Sequence, residues 1–212
     1  MSDSSSFAGS VYCVLNVGCG IPTRQKLHAI FHDPDWREVR LDIDPAVKPD
    51  LIGDMTDMQG LIPSESFDAV WSSHNLEHLY DHQAPKALAE FRRILKPHGF
   101  AIINCPDTLA IARQIVAHGL ESIAYVSKAG PISPLDMLFG YGRAIADGNT
   151  FMAHRTGFTV ERLRRLLDAS GFKASWVVPG DGFDIWAVAL MDATDAGALR
   201  RHLEQTGLRF PK

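Results

Sequence analysis

Cysteine is scarce in this chain: three residues in 212, at positions 13, 19 and 105. No two of them have CxxC spacing. A disulfide scaffold and a cysteine-rich zinc module are thereby excluded, and reduced thiols in a cytoplasmic protein are expected. Long apolar runs are missing too, and none approaches the roughly 20 residues that cross a membrane. The opening MSDSSSFAGS lacks the basic and apolar regions of a signal peptide and reads as a disordered lead over 1–10. Neither sign of charge dominates: 21 Lys and Arg stand against 25 Asp and Glu, for a net charge of −4. Nothing in bulk therefore draws the protein to nucleic acid or an anionic membrane. The arginines at 162, 164, 165, 200 and 201 read as solvated helix faces. Two phosphate-binding signatures are also absent. Gly18 and Gly20 begin a GxGxxG whose third place is held by Thr23, and no GxxxxGK[ST] occurs.

What is present is an alternation of short apolar runs with helical patterns, the mark of a parallel α/β sheet. Strands are expected at 11–17, at 36–43 (WREVRLDI), in the short DLIGD ending at Asp54, at 67–73 and at 100–105. Helices are expected around 24–31 and over 83–95, the latter capped by Asp81 and burying Leu88, Phe91 and Leu95. A late helix capped by Thr159 turns Val160, Leu163, Leu166 and Leu167 inward and stops at Gly171. FKASWVVP and FDIWAVAL, joined by the turn at 180–182, read as a terminal hairpin, with a last helix near 195–205. Residues 11–212 thus form one domain. Within it, 107–153 is longer than a simple connection and leaves the carboxyl end of a strand, so it reads as an inserted lid or substrate lobe.

The stretch VLNVGCGIP, residues 14–22, delivers a buried strand into a glycine turn, where a backbone can lie against a ligand. Asp42 lies 22 residues after Gly20, near the tip of the second strand, where a carboxylate can accept from both hydroxyls of a ribose. Asp54, at the end of the third strand, could take an adenine amino group. Each acid alone could equally cap a helix; the set, each at the carboxyl end of its own strand, indicates a ribose-bearing ligand.

Here the sequence resembles the class I S-adenosylmethionine-dependent methyltransferases of the type 11-like group. The resemblance rests on LNVGCG (15–20), VRLDIDP (39–45), LIGDM (51–55), FDAVWSSHNLEHL (67–79), FRRILKPHGF (91–100) and HRTGFTVERLRRLLDASGF (154–172). It implies a Rossmann-like, doubly wound, seven-stranded sheet, mostly parallel with its last strand antiparallel. It implies S-adenosyl-L-methionine as cofactor, with S-adenosyl-L-homocysteine as product. Asn16, Gly18, Cys19 and Gly20 would face its methionine and ribose parts, and Asp42 and Ile43 would hold the ribose edge. Asp54 and Met55 would frame the adenine, and Ser73 and His74 would line the cofactor after the fourth strand. The usual family acid two residues before the first glycine is here Asn16, and Pro22 stands where many members have a further glycine.

HNLEH, residues 74–78, also matches the H-x-x-E-H zinc motif of inverzincin peptidases. On a helix, His74 and His78 would share a face, with Glu77 as base. Zinc needs a third protein ligand, and no acidic partner on a matched helix stands out downstream, so no metal ligand is assigned. Methyl transfer requires no enzyme nucleophile; it requires donor and acceptor held in line. His74 and His154 are the candidate bases, for an acceptor that arrives protonated. The acceptor is expected to be a small or mid-sized molecule selected by the 107–153 lobe, and a homodimer is possible. The alternatives are a noncatalytic cofactor-binding module, which Asn16 keeps open, and the zinc hydrolase.

Overall fold

The computed structural model describes residues 12–22 and 27–210; the expected lead at 1–10 lies outside them. β1 (Tyr12–Val17) lies inside the sheet, flanked by β2 (Trp36–Asp42) and β4 (Phe67–Ser73). β3 (Leu51–Ile52) forms one edge. β5 (Leu95–Pro106), β9 (Asp184–Leu190) and β8 (Ala174–Pro179) complete the other side, giving the order β3-β2-β1-β4-β5-β9-β8. β9 runs antiparallel to both its neighbours, as expected for the last strand. The strand order reverses between β1 and β4, and an open α/β sheet binds its ligand at the carboxyl ends beside such a reversal.

Alternation along the strands builds two cores, one on each face. Leu15, Val70, Ile103 and Ala187 point to one side and meet Leu88 and Phe91 of α1 (Ala84–Ile94) and Leu163 and Leu167 of α5 (Val160–Ala169). Val14, Trp71, Ile102 and Val188 point to the other and meet Phe31, together with Leu199 and Leu203 of α6 (Ala196–Gln205). Strands buried on both faces explain why the sequence shows continuous apolar runs here, with no polar alternation.

Several local expectations are corrected. Of the helix expected at 24–31, residues 24–26 lie outside the described residues, and the described remainder holds only a 3₁₀ turn, Ala29–His32. Asp81 does not cap α1; Gln83 occupies the cap position without a side-chain bond, and Asp81 accepts from Arg162 at 2.7 Å. Leu95 is no longer helical. β5 begins there, and a register shift between its pairings Phe67↔Leu95 and Ala69↔Phe100 absorbs the Lys96–Gly99 stretch.

Residues 107–153 fold as α2 (Thr108–His118), a hairpin of β6 (Tyr125–Ser127) and β7 (Gly130–Ile132), α3 (Pro134–Phe139) and α4 (Gly142–Ala146). Asp107 accepts from the Leu109 amide to start α2, and Ser133 with Asp136 forms a reciprocal capping box on α3. Ile111, Ile132 and Met137 form a small core of their own, closed by Tyr141 and by Phe183 from the β8–β9 turn. No helix among the described residues is long and apolar enough to cross a membrane.

Candidate active site

The glycine turn is shaped by close approach. Gly18 sits at φ +59°, and a β-carbon there would run into the Asn75 side-chain amide. That amide donates to the Val17 carbonyl at 2.6 Å, tying the end of β1 to the turn after β4. Gly18 therefore meets both requirements that favour glycine, a left-handed backbone and no room for a side chain. The Gly20 amide donates to Asp42 Oδ2 at 2.8 Å and the Asp44 amide to Asp42 Oδ1 at 2.9 Å. A carboxylate has about four acceptor sites, so Asp42 keeps capacity for two hydroxyls. Arg40 braces the same turn through the Gly20 carbonyl, 2.6 Å away.

Asn16 is buried and donates through Nδ2 to Glu38 Oε1 at 2.6 Å. The negative charge absent at position 16 is thus supplied to its side chain from the neighbouring strand. Burial pushes the Cys19 thiol above its ordinary value, which suits a small filler between glycines and not a nucleophile. Asp54 folds back on Thr56, accepting from its amide and its hydroxyl at 2.8 Å each.

A cavity of about 1170 Å³ opens from this turn and is lined further on by Tyr125, Ile132, Met137 and Tyr141 of the 107–153 segment. Asn16, Gly18, Cys19, Gly20, Asp42, Ile43, Asp54, Met55, Ser73, His74 and His154 all line it. The residues selected from sequence are therefore gathered in one place. The size exceeds the upper end of the usual range for one small ligand, roughly 300–1,000 Å³. It leaves space for a second molecule beside a nucleoside.

The HNLEH stretch does not form the helix that the inverzincin pattern needs. His74 follows β4 at φ +53°, and only Leu76–His78 make a 3₁₀ turn. Its side chain is 57% exposed and its Nδ1 lies 3.4 Å from Glu77 Oε1, whose side chain is 2% exposed. Burial works against charge on His74, but the Glu77 carboxylate outweighs it and holds the imidazole above its ordinary value. For Glu77, burial alone would push the carboxyl up; His74, then His78 and His154, reverse that and hold it down. His154 is lowered, chiefly by burial. Its Nδ1 faces the Met137 carbonyl at 2.9 Å, and its ring stands 5.0 Å from that of His78.

Sequence reasoning missed the far wall. Asp184, at the start of β9, accepts at Oδ2 from Asn104 Nδ2 and from Trp186 Nε1, both at 2.9 Å. All three line the cavity, with Trp71 and His28 beside them. The available signal was the antiparallel strand itself, because its first residues lie at the edge where the parallel strands end. Burial pushes His28 down to about 4, with His32 adding to the effect, so it is neutral near pH 7. Its Nδ1 accepts from the Ile30 amide at 3.3 Å.

A doubly wound sheet in this order, a glycine turn at positive φ and acids at successive strand ends define the fold of the class I methyltransferases. Residues 15–103 match the family model Methyltransf_11, described as a methyltransferase domain. The chain is similar to a SAM-dependent methyltransferase from Archaeoglobus fulgidus, at 14% identity and a TM-score of 0.53, over 84% of this chain and 86% of that one. It is also similar to the 1,6-didemethyltoxoflavin-N1-methyltransferase of Burkholderia thailandensis, solved with 1,6-didemethyltoxoflavin and S-adenosylhomocysteine bound. There the identity is 18% and the TM-score 0.51, over 88% and 72% of the two chains. A possible histamine N-methyltransferase from Thermotoga maritima gives 16% and 0.52, over 84% and 82%. No curated protein matches. The fold is that of the class I S-adenosylmethionine-dependent methyltransferases, and residues 15–103 carry the match to a methyltransferase domain.

Proposed function

We propose that the chain transfers the methyl group of S-adenosylmethionine to a small or mid-sized acceptor held under the 107–153 lobe. The observation that carries this reading is the convergence of the Gly18–Gly20 turn and Asp42 at the strand reversal, on a cavity that continues beyond them. When bound, the cofactor supplies an electrophilic methyl group on a sulfonium. Asp42 would accept from the ribose hydroxyls, and the turn backbone would lie against the methionine part. Ile43 and Met55 offer apolar surface to the adenine, and Asp54 its carboxylate. The Asn16–Glu38 pair puts a charge-bearing acceptor near the ammonium group.

The acceptor's attacking lone pair forms the new bond to the methyl carbon while the carbon–sulfur pair leaves with sulfur. The chain's contribution is alignment and exclusion of water. Tyr125, Ile132 and Met137 of the lobe and Trp186 of the sheet form the apolar walls that would do this. If the acceptor carries a proton, His74 is placed to remove it. It faces the cavity directly after Ser73, and Glu77 stabilises the imidazolium that results. His154 is the second candidate, set deeper. The free thiols Cys13, Cys19 and Cys105 support a cytoplasmic setting. The exposed lobe residues Val126 and Phe139 support a homodimer.

The test is a panel of small hydroxyl, amine and activated-carbon acceptors with methyl-labelled cofactor. Label transferred to one acceptor class, and lost on Asp42→Ala, is expected. Tight cofactor binding without transfer to any acceptor, in the panel or in a broad extract, would instead establish a noncatalytic module.

A further inference from the structure

Beside the glycine turn, a second cluster lies in the same cavity and is not used by cofactor binding. Glu77, His78 and His154 each offer one ligand atom within 4.8 Å of the others. Glu77 is the anomaly. Its residue is 1% exposed, both carboxylate oxygens are buried, and neither takes a hydrogen bond among the described residues. His74 Nδ1 approaches Oε1 at 3.4 Å as an ion-pair partner without hydrogen-bond geometry, and Oε2 has no hydrogen-bond partner among the described residues. Buried carboxylates are normally hydrogen-bonded, paired or bound to a metal.

The two imidazoles are prepared in the way metal ligands are. His78 Nδ1 faces the Ala153 carbonyl at 3.2 Å and His154 Nδ1 faces the Met137 carbonyl at 2.9 Å. A carbonyl can only accept, so both Nδ1 atoms carry hydrogen. Each neutral ring then has its lone pair on Nε2. A backbone carbonyl that fixes the far nitrogen is the usual outer partner of a ligating histidine. The two segments are also stapled together, for the Arg155 and Thr156 amides both donate to the Glu77 carbonyl, at 2.7 and 3.2 Å. This supplies the third ligand for which the HNLEH motif alone offers no candidate.

We propose that Glu77, His78 and His154 bind one divalent first-row transition-metal ion, with open coordination positions facing the cavity. Two imidazoles and one carboxylate suit zinc, iron, cobalt or nickel better than magnesium or calcium. Bonds of about 2.0–2.2 Å require the ligand atoms, now within 4.8 Å of one another, to draw closer together. An acceptor oxygen entering from the cavity would complete the coordination sphere, and the ion would favour its deprotonated form. This last step rests on the methyltransferase reading; the ion site does not. With His154 held as a ligand, the proton-accepting role falls to His74.

The experiment uses the full, tag-free chain, stripped with chelator and titrated with Co²⁺, whose ligand-field absorption reports the coordination. One ion per chain is expected. Loss of affinity in His78→Ala and in His154→Ala should exceed the roughly 10–100-fold that an outer partner costs. S-adenosylhomocysteine affinity, read by calorimetry on the same samples, should stay within about threefold, which also shows that each variant is folded. If one variant unfolds, the other decides. Absence of saturable Co²⁺ binding, or equal binding in the wild type and the folded variants, would overturn the proposal. Co²⁺ bound at this site with no S-adenosylhomocysteine binding would instead overturn the methyltransferase reading and leave the ion site standing.

Discussion

Replacing Gly18 with alanine tests the geometry of the glycine turn at its tightest point. At φ +59° an L-residue costs about 1–2 kcal/mol whatever the space around it. The new methyl group must also displace the Asn75 amide. Overpacking of this kind typically costs about 1–3 kcal/mol, so Gly18→Ala should lose about 2–5 kcal/mol in all. The Asn75→Ala variant removes the obstacle but also the 2.6 Å bond to the Val17 carbonyl, leaving a buried acceptor unpaired at about 1–3 kcal/mol. In the double variant the collision is gone and only the backbone strain and the lost bond remain. The two costs should therefore fail to add by at least about 1 kcal/mol. Equilibrium urea unfolding of the four proteins, with unchanged slopes, measures this cycle directly. Additivity within about 0.5 kcal/mol would refute the reasoning, because it would mean that the glycine and Asn75 do not share the same space.

Other consequences follow from the same geometry. Asp68 is held below its ordinary value of 3.8: burial pushes it up, but Lys96, the Cys13 amide and His98 outweigh burial. The unfolded chain therefore binds more protons at this residue, so its contribution is present above that value and is lost as the pH falls through the lower native one. Asp68→Asn should flatten the acid limb of a stability–pH profile below pH 3.8, and an unchanged limb would contradict this. At His74, where φ is +53°, both small replacements lose the imidazole, but only alanine keeps the left-handed penalty. His74→Gly should then be more stable than His74→Ala by about 1 kcal/mol in urea, and the reverse order would count against strain at this position. Phe91 is fully buried between α1 and the sheet, so Phe91→Ala should cost about 3–5 kcal/mol in thermal or urea unfolding. A loss under about 1 kcal/mol would show that the core there is loose.

The parts of the fold that could be read from sequence were those set by local pattern. The run FDAVWSS became β4 with the same ends, because a strand buried on both faces is a continuous apolar run between turn residues. Thr159 caps α5 through the Arg162 amide as its position before an amphipathic stretch implied. Where the pattern failed, a distant contact had decided the outcome. Asp81 was drawn from its expected cap by Arg162, and Leu95 was taken from α1 by pairing with Phe67. The site divides in the same way. The glycine turn and Asp42 stand at the ends of consecutive parallel strands, β1 and β2, where spacing alone relates them. His154 meets His78 only because the chain returns to the turn after β4, where Ala153 lies against His78 from 75 residues on, and Asp184 reaches the cavity only because β9 runs backwards. Neither approach leaves a trace in local spacing. Asn16 shows the limit from the other side: the missing acid is visible in the sequence, but its replacement by Glu38 belongs to strand register.

The central claim is that the Gly18–Gly20 turn and Asp42 hold the nucleoside of S-adenosylmethionine. Calorimetric titration of the purified chain with S-adenosylhomocysteine, set beside Asp42→Ala, tests it most directly. The account predicts one site per chain and a weakening of about 100-fold in the variant, since two hydrogen bonds to a carboxylate contribute together about 3 kcal/mol or more. No binding to the wild type, or equal binding to both proteins, would contradict it.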